Sequence, residues 1–141
     1  ETEGKRLSLD LLAAGVRAVL ADSNRGRYFL ASVAKRVVGQ LMITTEWSDW
    51  RNGQIWWVQS VYVDPEHRRR GVFRFLYRHV EEVACATPGV VGLRLYVEHN
   101  NTVAQRVYEG LGMHNAGYLV FERMWSTREN ATQPSRRFTD R

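Results

Sequence analysis

The segment Val61-Tyr62-Val63-Asp64-Pro65-Glu66-His67-Arg68-Arg69-Arg70-Gly71-Val72-Phe73-Arg74 constrains this chain more than any other. It reads as the end of a strand, a Pro-containing turn, a basic loop with a glycine, and the start of a helix. The first N–H groups of a helix have no partner within it, and the helix dipole is positive at that end, so such a junction favours anions. Gly71 lets the main chain approach a ligand without a Cβ between them. Arg68, Arg69, Arg70 and Arg74 add charge-assisted donors for phosphate oxygens. The bland alternative is a solvated basic turn that caps a surface helix.

The elements around this junction follow from hydrophobic period. Apolar residues at Leu7, Leu11, Leu12, Val16, Val19 and Leu20 predict a helix that starts near Ser8 or Asp10. The runs from Tyr28 to Val33 and from Val37 to Thr45 predict two strands joined by a tight Lys35-Arg36 turn. A loop rich in tryptophan and acid, Glu46 to Arg51, precedes Asn52-Gly53, a hairpin-closing dipeptide. A long strand runs from Gln54 to Val63, where Asp64-Pro65 stops it. Phe73, Leu76, Tyr77, Val80, Val83 and Ala84 mark a helix over 71–86. Val91 to Glu98 alternates, with Arg94, Tyr96 and Glu98 on one face. Asn100-Asn101-Thr102 supplies caps for a short helix that ends at Gly110, and Tyr118 to Trp125 predicts a last strand. This order implies one α/β (α+β) domain, a mixed sheet covered by helices.

Composition excludes several classes. The 141 residues are 44% hydrophobic and 25% charged, enough for one domain with its own core. No run approaches the length that spans a bilayer, and no secretory signal is visible, so no membrane partner is expected. A single cysteine rules out an internal disulfide framework and fits a reducing, cytoplasmic compartment. Cys85, late in an amphipathic helix, is expected to pack and not to act as a nucleophile. The sequons at Asn100 and Asn130 then read as chance matches. Four histidines lack metal-ligand spacing, so no metal is assigned. The net charge of +5 suits an anionic ligand, and the arginines converge on one helix start instead of spreading along a face. That clustering argues against a nucleic-acid partner.

The junction resembles the signature of the GNAT superfamily of N-acetyltransferases, V-x-P-x-x-R-x-x-G-x-G/A. Val63, Pro65, Arg68 and Gly71 match it in place, and Phe73 stands where the family usually has Gly or Ala. Downstream, Asn101-x-x-Ala104-x-x-x-Tyr108-Glu109-Gly110-Leu111-Gly112-Met113 is similar to the family's N-x-x-A-x-x-x-Y-x-x-x-G-F segment. The resemblance spans Tyr28 to Trp125. It implies a central mixed, mostly antiparallel sheet flanked by helices, with a parallel strand pair that splays apart to admit acetyl-CoA as co-substrate. It also implies that residues 1–125 form the domain without the family's first strand and helix, and that 126–141 are a polar tail.

By the same resemblance, the main chain of Val61, Tyr62 and Val63 would pair with the pantetheine arm, and one amide would polarise the thioester carbonyl. The amides of Arg68, Arg69, Arg70, Gly71, Val72, Phe73 and Arg74 would cradle the pyrophosphate. Asn101 would bond the cofactor, cap the helix, or do both. Tyr108 would be the acid for the departing thiolate, or else pack against the sheet. The resemblance implies direct attack by a primary amine, on a small molecule or a peptide, within a ternary complex. The base stays open: Ile55 to Ser60 holds no acid, leaving a water relay through Gln59 or Ser60, or Glu46, Asp49 or Glu98. Acid and aromatic faces at Glu46, Trp47 and Trp50, with Gln59, are candidate contacts for a cationic amine. Trp56 and Trp57 point to opposite faces, so one belongs to the core. Many relatives are dimers, so a homodimer is an expectation. The competing readings are a basic nucleic-acid-binding module and an inactive acyl-CoA sensor of the same fold.

Overall fold

The computed structural model describes residues 8–125. The proposed 126–141 tail and residues 1–7 lie outside the described residues. Helix α1 (Leu9–Ala21) leads into strands β1 (Arg27–Val33), β2 (Arg36–Ser48) and β3 (Gly53–Val63). A 3-10 turn (Pro65–His67) precedes α2 (Val72–Ala86), β4 (Val90–Leu95) and α3 (Thr102–Glu109). The sheet order is β1-β2-β3-β4, antiparallel except for the parallel pair β3–β4. That is the mixed sheet expected from the sequence. Among the described residues, no helix is long and apolar enough to cross a membrane.

The core lies between one face of the sheet and α2. Residues Leu76, Tyr77, Val80 and Ala84 form the buried stripe of α2. Of these, Leu76, Val80 and Ala84 meet Val38, Leu41 and Ile43 of β2 and Trp56 and Val58 of β3. Leu41, Leu76, Val38 and Val80 are completely enclosed, and each such side chain contributes about 1.5–3 kcal/mol by leaving water. The helix can come this close because β2 carries Gly39 at the contact. A Cβ there would lie 2.8 Å from Val72 Cγ1 and 3.3 Å from Leu76 Cδ1. Trp56 is in this core and Trp57 faces the other side of the sheet, as strand alternation requires.

Several expectations shift. The first hairpin turns at Ala34-Lys35, both at positive φ (47° and 67°), one residue earlier than Lys35-Arg36. Two consecutive left-handed residues match the twist of the flanking strands. Glu46 and Trp47 belong to β2 and not to a loop, because their pairing continues to Trp47↔Gln54 and Ser48↔Gly53. The true turn is Asp49 to Asn52, closed by Asn52 N–H on Asp49 O at 3.2 Å. Cys85 is exposed, one residue past buried Ala84, so it does not pack. α1 forms with Ser8 as its cap, yet Leu9, Leu11, Leu12 and Leu20 are exposed and none of its residues is buried. The expected strand 118–125 is not formed, since no strand of the described residues pairs with it.

Candidate active site

The ladder between β3 and β4 ends at Val58↔Leu95, five residues before β3 itself ends. Over that stretch β3 stays bonded to β2, through Met42↔Ser60 to Gly39↔Val63. One edge of Gln59 to Val63 is therefore left without a strand. A register shift falls at the same place, between Met42↔Ser60 and Ile43↔Val58, so Gln59 is the extra residue of a bulge. A bulge bends and twists its strand, which turns β3 away from β4 where their pairing stops.

Alternation decides which main-chain groups face the opening. Asp64 N–H donates to Val38 O at 2.8 Å, toward β2. Main-chain groups alternate sides along a strand, so those of Tyr62 also face β2, whereas Val61 and Val63 face the gap. Val63 O accepts from Arg68 Nε at 3.0 Å, which leaves the Val61 amide and carbonyl as the open pair. Val61 and Tyr62 are exposed, Val63 half-buried.

Beyond Val63 the chain is held by Asp64. Its carboxylate accepts from Glu66 N–H at 3.0 Å and from Arg36 at 2.7 Å. The Glu66 amide, and then the Arg36 and nearby His67 charges, outweigh partial burial and keep its carboxyl below the usual carboxylate range. Asp64, Glu66 and His67 each bring a ligand-type atom within 4.8 Å of the others, but Asp64 is already taken by these two donors.

Arg69 (φ 60°) and Gly71 (φ 81°) are both left-handed, so the loop folds into a shallow nest ahead of α2. The first bond of the helix is Phe75 N–H to Gly71 O at 2.9 Å. The amides of Val72, Phe73 and Arg74 therefore head the helix without an intrahelical acceptor. Space in front of Gly71 is open: a Cβ there would meet no atom within 4 Å. Arg69, Arg70 and Arg74 are exposed, while Arg68 folds back onto the end of β3.

α3 brings Tyr108 to this opening. Its ring lies edge-on to Phe73, centroids 5.8 Å apart, and burial pushes its hydroxyl above the ordinary phenol value. Tyr108 O also accepts from Leu111 and Met113 N–H at 3.0 and 3.1 Å, fixing the turn that buries Leu111. Asn101 caps α3, its Oδ1 accepting from Ala104 N–H at 3.1 Å, which leaves its amide nitrogen for a ligand.

The sheet face opposite α2 carries a second group of polar residues. Glu46 accepts from Trp57 Nε1 and from Arg94 at 3.4 Å, and the Trp57 and Tyr96 rings lie 4.4 Å apart. Nearer the opening, Gln59 donates to Thr44 Oγ1 at 2.9 Å and Gln40 donates to Ser60 Oγ at 3.4 Å. Arg94, Tyr96 and Thr44 were not singled out from the sequence, although the alternation of Arg94, Tyr96 and Glu98 was its signal. Trp47 and Trp50 are exposed at the other end of β3, about 20 Å from Ser60 at strand rise. The structure does not bring them to the opening. Asp49 sits with them, its carboxylate on Trp50 N–H. Cys85 is likewise remote, about 20 Å along α2 from Gly71.

Known proteins share this fold. Residues 6–113 match the acetyltransferase (GNAT) family. The crystal structure of a possible acetyltransferase from Clostridium difficile 630 superposes with a TM-score of 0.82 at 45% identity, covering 89% of this chain and 82% of that one. AAC(6')-Iy, solved with the bisubstrate analogue CoA-S-monomethyl-acetylneamine, superposes at 0.70 with 19% identity, over 84% of this chain and 82% of that one, a likeness of fold. A stretch of 58 residues is 41% identical to the ribosomal protein bS18-alanine N-acetyltransferase of Salmonella typhimurium. That stretch is 40% of this chain and only 38% of that protein.

Proposed function

The chain belongs to the acetyltransferase (GNAT) family, and from that premise we propose that it is an N-acetyltransferase moving the acetyl group of acetyl-CoA to a primary amine. The observation that carries the reading is the early end of the β3–β4 ladder at Val58↔Leu95, with β3 running on into the Arg69–Gly71 nest. The residues present fit the cofactor. The open edge at Val61 offers one donor and one acceptor to an extended amide arm, and the uncovered space at Gly71 gives phosphate oxygens access to the α2 amides.

When bound, acetyl-CoA supplies the activated acyl group. Val61 N–H would donate to the thioester carbonyl and stabilise the negative charge that develops there, a contribution that needs no rearrangement. Val72, Phe73 and Arg74 amides, with Arg69, Arg70 and Arg74 side chains, hold the pyrophosphate; Arg68 contributes by bracing the loop. The amine nitrogen would attack the carbonyl carbon as the carbon–sulfur bond breaks, with Tyr108 placed to give its proton to the leaving sulfur and to recover one from solvent. Burial keeps Tyr108 protonated at neutral pH, as a general acid requires. Ser60, with its hydroxyl held by Gln40, and Gln59, held by Thr44, order the water that removes the amine proton.

The face built from Glu46, Trp57, Arg94 and Tyr96 adjoins this opening and receives the body of the acceptor. A small-molecule amine and a peptide amine both suit it. Thiol release from acetyl-CoA, measured with polyamines, amino acids, aminoglycosides and peptide N-termini in turn, tests the proposal. It fails if acetyl-CoA neither raises the melting temperature nor releases thiol with any of them.

A further inference from the structure

On the sheet face opposite α2, Arg94 stands across the β3–β4 ladder from Trp57, its guanidinium carbon 5.8 Å from the centre of that ring. Its Nη1 donates to Glu46 Oε1 at 3.4 Å, while Glu46 Oε2 accepts from Trp57 Nε1. Both carboxylate oxygens are thus engaged. A guanidinium carries five N–H donors, and among the described residues this one uses a single donor, in a long bond. Arg94 is also the less exposed member of the pair, 28% against 42% for Glu46. A half-covered group with unused donors is completed by water or by a ligand acceptor. The unmet capacity of the cluster is therefore for an anion, and the planar fork of a guanidinium matches a carboxylate through two parallel bonds. Glu46, expected to draw a cationic amine, is instead held by its two neighbours.

We infer that the acceptor carries a carboxylate that Arg94 receives, at a distance from its amine set by the strand. The inference rests on acetyl transfer at the opening and states what the acceptor must carry. Trp57, level with Arg94, lies four residues before Val61, about 13 Å at strand rise. An amine at the Val61 end and a carboxylate at Arg94 are therefore separated by about the reach of four extended residues. A free α-amino acid is too short to satisfy both. A peptide amine spans them when an acidic side chain, or the terminal carboxylate, falls at its fourth residue. Between the two ends, the half-buried Trp57 ring and the exposed Tyr96 ring, 4.4 Å apart, form a flat apolar wall along which an extended chain can lie. A polyamine brings only positive charge and meets a guanidinium at the far end.

The test offers the full chain and acetyl-CoA two matched pairs of peptides, with spermidine beside them. One pair is the amides of Ala-Gly-Gly-Asp and Ala-Gly-Gly-Asn; the other is the free acid and the amide of Ala-Gly-Gly-Gly. The carboxylate member of at least one pair should be preferred by on the order of tenfold in kcat/KM, the size of a charge-assisted bond. Preference in the first pair identifies a side-chain carboxylate as the source, and preference in the second a terminal one. Arg94→Gln should remove the preference and Arg94→Lys should keep part of it. Acetyl-CoA should still raise the melting temperature of both variants, which shows that the domain folds. Equal rates within both pairs on the wild type overturn the proposal, and so does a preference that survives Arg94→Gln or spermidine outrunning every peptide. Calorimetric binding of the same peptides in the presence of coenzyme A separates this failure from that of acetyl transfer. A carboxylate preference in binding without thiol release keeps the subsite and removes the reaction, whereas turnover blind to the carboxylate keeps the reaction and removes the subsite.

Discussion

The ring of Tyr108 on α3 stands edge-on to that of Phe73 in the first turn of α2, the centroids 5.8 Å apart with planes at 72°. The contact links the helix that follows the Arg69–Gly71 turn to the residue proposed as acid. It also gives a role to the one departure from the family signature, since Phe73 supplies the edge-on neighbour that Gly or Ala could not. Tyr108→Phe keeps the ring and removes only the hydroxyl. We expect kcat to fall about 10²-fold with acetyl-CoA affinity and melting temperature little changed. The pH profile is diagnostic. Burial raises the Tyr108 pKa, so the acid form persists above the ordinary phenol value of about 10. The stability this neutral phenol lends is therefore complete below about pH 10 and is lost as pH rises through the higher folded value, a loss absent from the variant.

Gly39 sets how closely α2 approaches the sheet, and Gly39→Ala tests whether that distance matters to the site. The added methyl would press on Val72 Cγ1 and Leu76 Cδ1. Leu76 is enclosed and cannot move aside, so the first turn of α2 must lift. The expected cost is about 1–3 kcal/mol of stability, the range for overpacked cores. Because Val72 also heads the nest, acetyl-CoA should bind more weakly even at temperatures where the variant is fully folded. Thermal unfolding and calorimetric titration measure the two effects separately.

Asp64 gives a prediction with a sign fixed by linkage. The Glu66 amide, then Arg36, hold its carboxyl below the ordinary value. A depressed carboxylate stabilises the fold above its unfolded pKa, and that contribution disappears as pH falls through the folded value. Asp64→Asn should therefore melt earlier than the wild type by a constant margin from neutral pH down to about 5, with the margin closing below about 4. Melting curves taken from pH 7 to 3 follow this directly. A margin that instead grew on acidification would mean that Asp64 is not the group holding the loop.

Local signals were legible, and non-local ones were less so. The strand, turn and helix around the arginines can be read because Asp64, Pro65 and Gly71 each act on their own neighbours. The same holds for α3, whose cap Asn101 lies within the stretch it closes. The Ala34-Lys35 turn was misplaced by one residue because neither side chain advertises positive φ; the twist of β1 and β2 imposes it. Glu46 looked like a loop residue because charge is judged locally, whereas its place in β2 depends on partners in β3 and β4. Tyr118 to Trp125 looked like a strand by its apolar run, but none forms there, because a strand needs an edge to pair with and no strand of the described sheet pairs with it. The splay of β3 from β4 came from the family resemblance, because the bulge at Gln59 leaves no mark in hydrophobic period.

Val61 is the sharpest residue to test, because strand alternation assigns opposite roles to two neighbours. Tyr62 turns its main-chain N–H toward β2, and Val61 turns its own toward the gap. Proline removes that donor at either position and is tolerated only where the N–H is not part of a ladder. Tyr62→Pro should therefore destabilise the domain by about 3 kcal/mol or more, through loss of a sheet bond and distortion of β3. Val61→Pro should fold with a much smaller loss and show its damage in the reaction. Removing a preorganised donor to a developing oxyanion costs on the order of 10²–10³-fold in kcat. Binding of acetyl-CoA should also weaken, since the arm loses the Val61 donor on the open edge. Urea unfolding, calorimetry and single-turnover acetylation on the two variants separate these effects. If Val61→Pro turned over at the wild-type rate, the carbonyl would have to be polarised by another group, and the alternation argument would lose its functional consequence.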